Sequence, residues 1–285
     1  MGRADLPPLC HHGVTMTRIA LVREVFHLDT DGALLRECLA EAKDLGASIA
    51  VLPEIPMNPW APATRTPSDD DAEPADGPRA ARQAEAARSV GIGLVGGIIE
   101  RLPDGQRRNQ AMVFGPDGEV LGRFAKCHIP DEPGFYEADH YGPGEEYARP
   151  IHGLDVPIGV QICSDANRPE GTHLLAALGA EVVVVPRSTL RETWSRWRPV
   201  LISSALTSCC YTATVNRPSP EQGVEIGGPS FAVAPDGTVL VESEDRVCVF
   251  DVDRDAMPRF RKEYPGYIAV RSDLYAEGWK TVKPS

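Results

Sequence analysis

The chain has 285 residues, 42% hydrophobic and 25% charged, and its 26 glycines and 26 prolines follow no repeat, which excludes collagen, coiled coil and wholesale disorder. Its 41 acidic against 29 basic side chains leave a net charge of −12, which opposes attraction to nucleic-acid phosphates or anionic lipid. Apolar runs such as residues 182–185 fall far short of the roughly 20 residues that cross a bilayer, and cysteines without a CxxC pair suit free thiols in a reducing, cytoplasmic setting.

Residues 1–15 show no apolar period and read as a disordered N-terminal extension, with Met16 as an alternative start; one domain, 16–285, follows. Residues 17–22 (TRIALV) read as a strand. Leu34, Leu35, Cys38, Leu39, Ala42 and Leu45 recur at helical spacing and stop at Gly46, and residues 48–52 (SIAVL) make a second strand. The prolines at 56, 59, 62, 67, 74 and 78, with the acidic run Asp69–Asp71, predict a long surface loop over 56–78. A helix over 79–90 and a strand over 92–100 come next. A hairpin over 111–124 then turns at Pro116-Asp117-Gly118.

Strand 158–162, helix 170–178, strand 182–185, helix 194–205 and strand 211–215 continue the alternation, and a second hairpin, over 230–241, turns at Pro235-Asp236-Gly237. This pattern predicts a mixed sheet or a pair of sheets with helices on the outer faces. From about residue 254 the chain has little period and reads as an arm that packs on another subunit.

In three places an apolar strand ends and a reactive side chain follows: Glu54, Lys126 and Cys163. Strand ends converge in α/β folds. A thiol can attack an electrophilic carbon, a carboxylate can accept its proton and later activate water, and an ammonium can stabilise the oxyanion. His11-His12 as a metal site would leave the coordination unfilled. Cys127, Cys209, Cys210 and Cys248 read as small buried hydrophobes.

Leu52-Pro53-Glu54, Lys126-Cys127-His128-Ile129-Pro130 and residues 159–170 (GVQICSDANRPE) resemble, in the same order, the carbon–nitrogen hydrolase family, or nitrilase superfamily. The resemblance implies an α/β fold, an α-β-β-α sandwich whose dimers form an α-β-β-α-α-β-β-α core, with no metal or organic cofactor. It implies Glu54 as general base, Lys126 as oxyanion stabiliser, Cys163 as nucleophile and Glu137 as a second glutamate beside the lysine. The backbone N–H of Ser164 is expected to complete the oxyanion hole, and Lys126 with the turn after Cys163 to favour thiolate.

His128 is expected as a hydrogen-bonder beside the lysine and, with Trp60, Phe135, Tyr136, Arg187, Ser188 and Thr189, as a candidate to line the pocket. Asp165 and Arg168-Pro169-Glu170 are expected to cap the following helix. Residues 126–137 (KCHIPDEPGFYE), followed by Tyr141-Gly142-Pro143-Gly144, resemble the N-carbamoyl amidohydrolase branches. They imply hydrolysis of an N-carbamoyl or small amide substrate through a thioester, with release of ammonia. A nitrile is disfavoured because Ser164-Asp165 stands where nitrilases carry Trp-Glu, although a nitrilase, an acyl-transferring enzyme and a noncatalytic member of the fold are the alternatives. The paired arginines of the carbamoyl-D-amino-acid enzymes are Ala166-Asn167 here, which leaves Arg168 or Arg187 to hold a carboxylate, and the family's opening glutamine is Arg23.

Overall fold

The computed structural model describes residues 16–283. The expected N-terminal extension therefore lies outside the described residues. The chain runs β1 (Met16–Val22), α1 (Ala33–Asp44), β2 (Ile49–Val51), α2 (Pro78–Val90), β3 (Gly93–Arg101), β4 (Arg107–Phe114) and β5 (Val120–Ala125). A small lobe follows, with β6 (Asp131–Glu132), β7 (Phe135–Tyr136) and α3 (Glu137–His140). The second half holds β8 (Ile158–Val160), α4 (Pro169–Ala177), β9 (Val182–Arg187), α5 (Trp194–Ser208), β10 (Tyr211–Asn216), β11 (Ser230–Val233), β12 (Val239–Ser243), β13 (Val247–Asp253), α6 (Met257–Lys262) and α7 (Ser272–Trp279).

These strands make two sheets, in the orders β13-β1-β2-β3-β4-β5 and β12-β11-β10-β9-β8, beside the small β6-β7 ribbon. Their side chains alternate between two cores, as the period of a strand requires. Ile19 and Leu21 of β1 join Val160, Val184 and Val215 of the other sheet in the central core, whereas Ala20 and Val22 face Leu35, Leu39 and Ala87 of the helices α1 and α2. Helices α4 and α5 carry Leu175, Leu201 and Ala205 onto the second sheet. The layers are therefore α-β-β-α, as expected. Each fully buried Leu, Ile or Val contributes roughly 1.5–3 kcal/mol.

Within the first sheet β1, β2 and β3 are parallel and β4 and β5 alternate, so β2 and β5 end at one edge. Strands β8, β9 and β10 are parallel in the second.

Four local readings are corrected. Strand β4 begins at Arg107 rather than 111, so its polar start Arg108-Asn109-Gln110 lies inside the sheet and is buried. Strand β13 was not anticipated, although residues 247–253 (VCVFDVD) alternate cleanly. It leaves the second sheet's hairpin and pairs antiparallel with β1, Val22 opposite Val247. The loop over 56–78 is not a surface loop at its start, since Met57, Asn58 and Trp60 are fully buried. The segment from 254 does contain helices, α6 and α7, but α7 buries no residue. Tyr264, Tyr267, Val270 and Tyr275 stand exposed along it. No helix among the described residues is long and apolar enough to cross a membrane.

Candidate active site

Glu54, Lys126 and Cys163 each follow the end of a strand, β2, β5 and β8 respectively, and the packing of the two sheets brings those ends together. Glu137 opens the short helix α3. Glu54, Lys126 and Glu137 are fully buried and Cys163 is nearly so.

The Lys126 ammonium donates to Glu54 Oε1 at 2.8 Å and to Glu137 Oε2 at 2.5 Å. Asn109 Nδ2 adds a bond to Glu54 Oε1 at 2.8 Å, and the Tyr141 hydroxyl donates to Glu137 Oε2 at 2.6 Å. All these bonds engage one oxygen of each carboxylate. Glu54 Oε2 and Glu137 Oε1 have no hydrogen-bond partner among the described residues. A buried oxygen left so costs about 1–3 kcal/mol, the kind of exception that marks a working group.

Burial by itself would lower the Lys126 pKa, but the charges of Glu137 and Glu54 outweigh it and hold the ammonium cationic far above its ordinary range. Burial pushes Glu137 up to about 7, Lys126 opposing and Glu54 reinforcing the shift. Two carboxylates around one ammonium carry an excess negative charge into a dry site, and a proton on Glu137 relieves it.

Cys163 has a positive φ of 48°, a left-handed conformation that non-glycine residues seldom adopt outside strained functional turns. It opens a single 3₁₀ turn, Cys163–Asn167, so the following α-helix starts only at Pro169, and Arg168 is that helix's N-cap position without a side-chain cap bond. Cys163 Sγ donates to the Ser188 carbonyl at 3.7 Å. Burial, reinforced by Glu54, raises the thiol pKa strongly, and Lys126 only partly opposes it. Lys126 thus pulls toward the thiolate as expected, while burial and the two acidic neighbours pull the other way.

Asp165 does more than start a helix. Its Oδ1 accepts from the backbone N–H groups of Cys127 and His128, at 3.1 and 2.9 Å, and lies 2.7 Å from His128 Nδ1. Its Oδ2 accepts from Ile162 N at 3.1 Å. One buried carboxylate thus fastens the turn bearing Cys163 to the loop after Lys126, across the two sheets. Asp165→Ala strands three backbone donors and is expected to lower stability by about 3 kcal/mol; a denaturation midpoint equal to that of the parent protein would show the fastening to be dispensable.

The remaining candidates are placed as follows. Trp60 donates from Nε1 to the Gly134 carbonyl at 2.8 Å and packs on Phe135 with ring centroids 5.5 Å apart. Tyr136 is half-buried beneath the Arg65 guanidinium, 4.0 Å from its centroid. The Ser164 hydroxyl donates to the His128 carbonyl. Ser188 is fully buried, its hydroxyl without a partner among the described residues.

Arg187 and Thr189 are tied into the fold by hydrogen bonds. Arg187 is fully buried and donates to Thr214 and Thr189 hydroxyls and the Pro229 carbonyl, with Trp194 beside it at 5.0 Å. Burial brings its pKa down to about 9. Thr189 is held at both backbone groups by Asn216. Arg168 is exposed, and Arg23 donates to the carbonyls of Pro218, Gly228 and Glu244. Sequence reasoning missed Asn109 and Tyr141. Asn109 lies in the polar run Arg107-Arg108-Asn109-Gln110 and Tyr141 in a loop, so neither stood out before the sheet buried them.

A family model described as carbon-nitrogen hydrolase matches residues 26–262. The human omega-amidase NIT2 is 30% identical over 278 residues, covering 92% of this chain and 98% of its own, and that of Xenopus tropicalis is 30% identical over 273 residues, covering 91% and 96%. Among solved structures, a carbon-nitrogen hydrolase from Helicobacter pylori G27 superposes with a TM-score of 0.85 at 23% identity, covering 94% of this chain and all of that one. A cysteine-to-alanine variant of the amidase from Nesterenkonia sp. AN1, in complex with butyramide, superposes with a TM-score of 0.76 at 24% identity over 95% and 99% of the two chains. The resemblance carried by the motifs around Glu54, Lys126 and Cys163, the sandwich of two helix-covered sheets and these matches agree: the chain belongs to the carbon–nitrogen hydrolase family, the nitrilase superfamily.

Proposed function

We propose that this chain hydrolyses a small carboxylic amide through a thioester on Cys163. The observation that carries the reading is the buried Glu54–Lys126–Glu137 cluster, with one unpartnered oxygen on each carboxylate among the described residues, beside the buried Cys163. Glu54 Oε2 takes the thiol proton as Sγ attacks the amide carbon. Lys126 and the backbone N–H of Ser164 hold the oxyanion of the tetrahedral intermediate. Glu137 accepts an N–H of the departing nitrogen and orients it. The C–N bond breaks as Glu54 returns the proton, releasing ammonia and leaving the acyl group on sulfur. Water then gives a proton to Glu54 and attacks the thioester, and the acid leaves as the thiol is restored.

The omega-amidase names of the relatives support an amide as substrate. The stretch from Lys126 to Glu137, with its N-carbamoyl likeness, supports a second reading in which a ureido acid gives ammonia and carbon dioxide. A panel of terminal amides of dicarboxylic acids, aliphatic amides, ureido acids and nitriles, followed by ammonia release, separates them. Amides are expected to turn over fastest; ammonia from ureido acids alone would move the assignment to the carbamoyl branch, and turnover of nitriles alone would overturn both.

For the arm, we propose that residues from about 254 cover a second copy of the chain, since Tyr264, Tyr267, Val270 and Tyr275 are exposed in one copy. A chain ending at Asp253 is expected to sediment as a monomer where the full chain sediments as a homodimer. Equal masses would remove the arm from assembly.

A further inference from the structure

We infer that Arg217 is a positioning residue that sets the Glu54 carboxylate in its working place, an inference that rests on Glu54 acting as the proton acceptor. Arg217 follows the last residue of β10, in the sheet opposite the one that carries Glu54. Its guanidinium is fully buried. Nη1 donates to the backbone carbonyls of Glu54 at 2.9 Å and Ile55 at 3.1 Å, and Nη2 donates to that of Asn58 at 2.8 Å. Nε and Nη2 also donate to the two oxygens of Glu221, each at 2.7 Å, and Glu221 Oε2 accepts from the backbone N–H of Trp60 at 3.1 Å.

The ion pair therefore grips the whole turn from Glu54 to Trp60. A buried guanidinium needs a counter-charge and fixed acceptors, and Glu221 with the turn's own carbonyls provides them. Two consecutive carbonyls converge on one nitrogen only if the peptide between them bends sharply. The bend falls at Ile55, whose φ is 38°. A β-branched residue in that region is strained by roughly 1–3 kcal/mol and stays there only when its surroundings impose it. Without Arg217, Ile55 relaxes to negative φ and carries the preceding residue with it. Glu54 would then lose its register on Lys126 and Cys163 although nothing in its own side chain had changed.

The neighbouring residue extends the argument. Asn216 Oδ1 accepts from the backbone N–H groups of both Thr189 and Arg217, each at 3.0 Å. The end of β10 thus holds the turn after Glu54 and the turn whose Ser188 carbonyl meets Cys163 Sγ. Base and nucleophile are aligned from one strand end.

The test is a double-mutant cycle on kcat/KM with an activated nitrophenyl ester, so that impaired variants remain measurable, in the parent protein, Arg217→Met, Glu54→Gln and the two combined. A misplacement near 1 Å is expected to lower kcat/KM about 10–100-fold in Arg217→Met, mostly through kcat. In the Glu54→Gln background the same substitution is expected to change the rate less than about threefold, because there is no longer a base to position. Arg217→Lys, which keeps a donor for the Glu54 and Ile55 carbonyls, is expected to recover part of the loss, and it replaces Arg217→Met throughout the cycle if that variant does not fold. An equal loss in both backgrounds would overturn the positioning role while leaving Glu54 as base. Near-parental turnover in Glu54→Gln alone would instead overturn the mechanism on which the role rests.

Discussion

Cys163→Ala is expected to abolish amide hydrolysis, lowering kcat by about 10⁵-fold or more, because removing the atom that bonds to the substrate removes the pathway and not one contribution to it. The fold should survive. Cys163 donates only a long contact to the Ser188 carbonyl, and trading a buried thiol for a methyl leaves a void smaller than a methylene-rich side chain would. Mass spectrometry after mixing with an amide should show an acyl adduct on the parent protein and none on the variant. A variant that still releases ammonia at the parental rate would remove Cys163 from the chemistry. The burial of the thiol adds a second expectation: the parent enzyme at neutral pH should react with neutral alkylating agents more slowly than an exposed cysteine does, since burial raises its pKa.

Lys126→Met is expected to have the largest effect on stability. The substitution leaves Glu54 and Glu137 buried together with no cation between them. Breaking a buried ion pair from one side costs about 3–5 kcal/mol, which for a protein of this size lowers Tm by roughly 10 °C. Activity should vanish as well, because the oxyanion loses its charged partner. Combining Lys126→Met with Glu137→Gln should restore part of the lost Tm without restoring turnover. If Lys126→Met melts with the parent protein, the three charges are not coupled as the geometry requires.

The same cluster gives stability a pH dependence with a definite sign. Glu137 is raised from 4.5 to about 7. Across that window the folded protein holds a proton that the unfolded chain has released, so this site's contribution is full at the lower end and declines as pH rises through it. Glu137→Gln should flatten that part of the stability profile measured by denaturation; an unchanged slope would place that proton elsewhere.

Much of the site was legible in the residue order. Glu54, Lys126 and Cys163 stand directly after apolar strands, and such strands end at a common edge once helices cover their outer faces. Glu137 came from the family resemblance, which implies a second glutamate shortly after the lysine. Other parts were not. Asn109 was passed over because a strand beginning with arginines and amides does not look like one until its edges are buried. Trp60 lies in a stretch that read as a proline-rich surface loop, yet the loop folds inward, where Arg217, far along the chain, donates to the Glu54 and Asn58 carbonyls. Asp165 looked like a helix cap; that it spans to Cys127 and His128 depends on two loops meeting from different sheets.

By itself the sequence determined the alternation of strands and helices, the placing of Glu54, Lys126 and Cys163 directly after strands, and the likeness to the family, because hydrophobic period and local motif act over a few neighbouring residues. Only the tertiary structure decided which oxygen of each carboxylate is left free, that the thiol is buried, and that Arg217 of one sheet holds the turn of Glu54 from the other. Those properties depend on burial and on contacts between distant segments, where the loss of water sets the charge states and the packing of two sheets sets the distances.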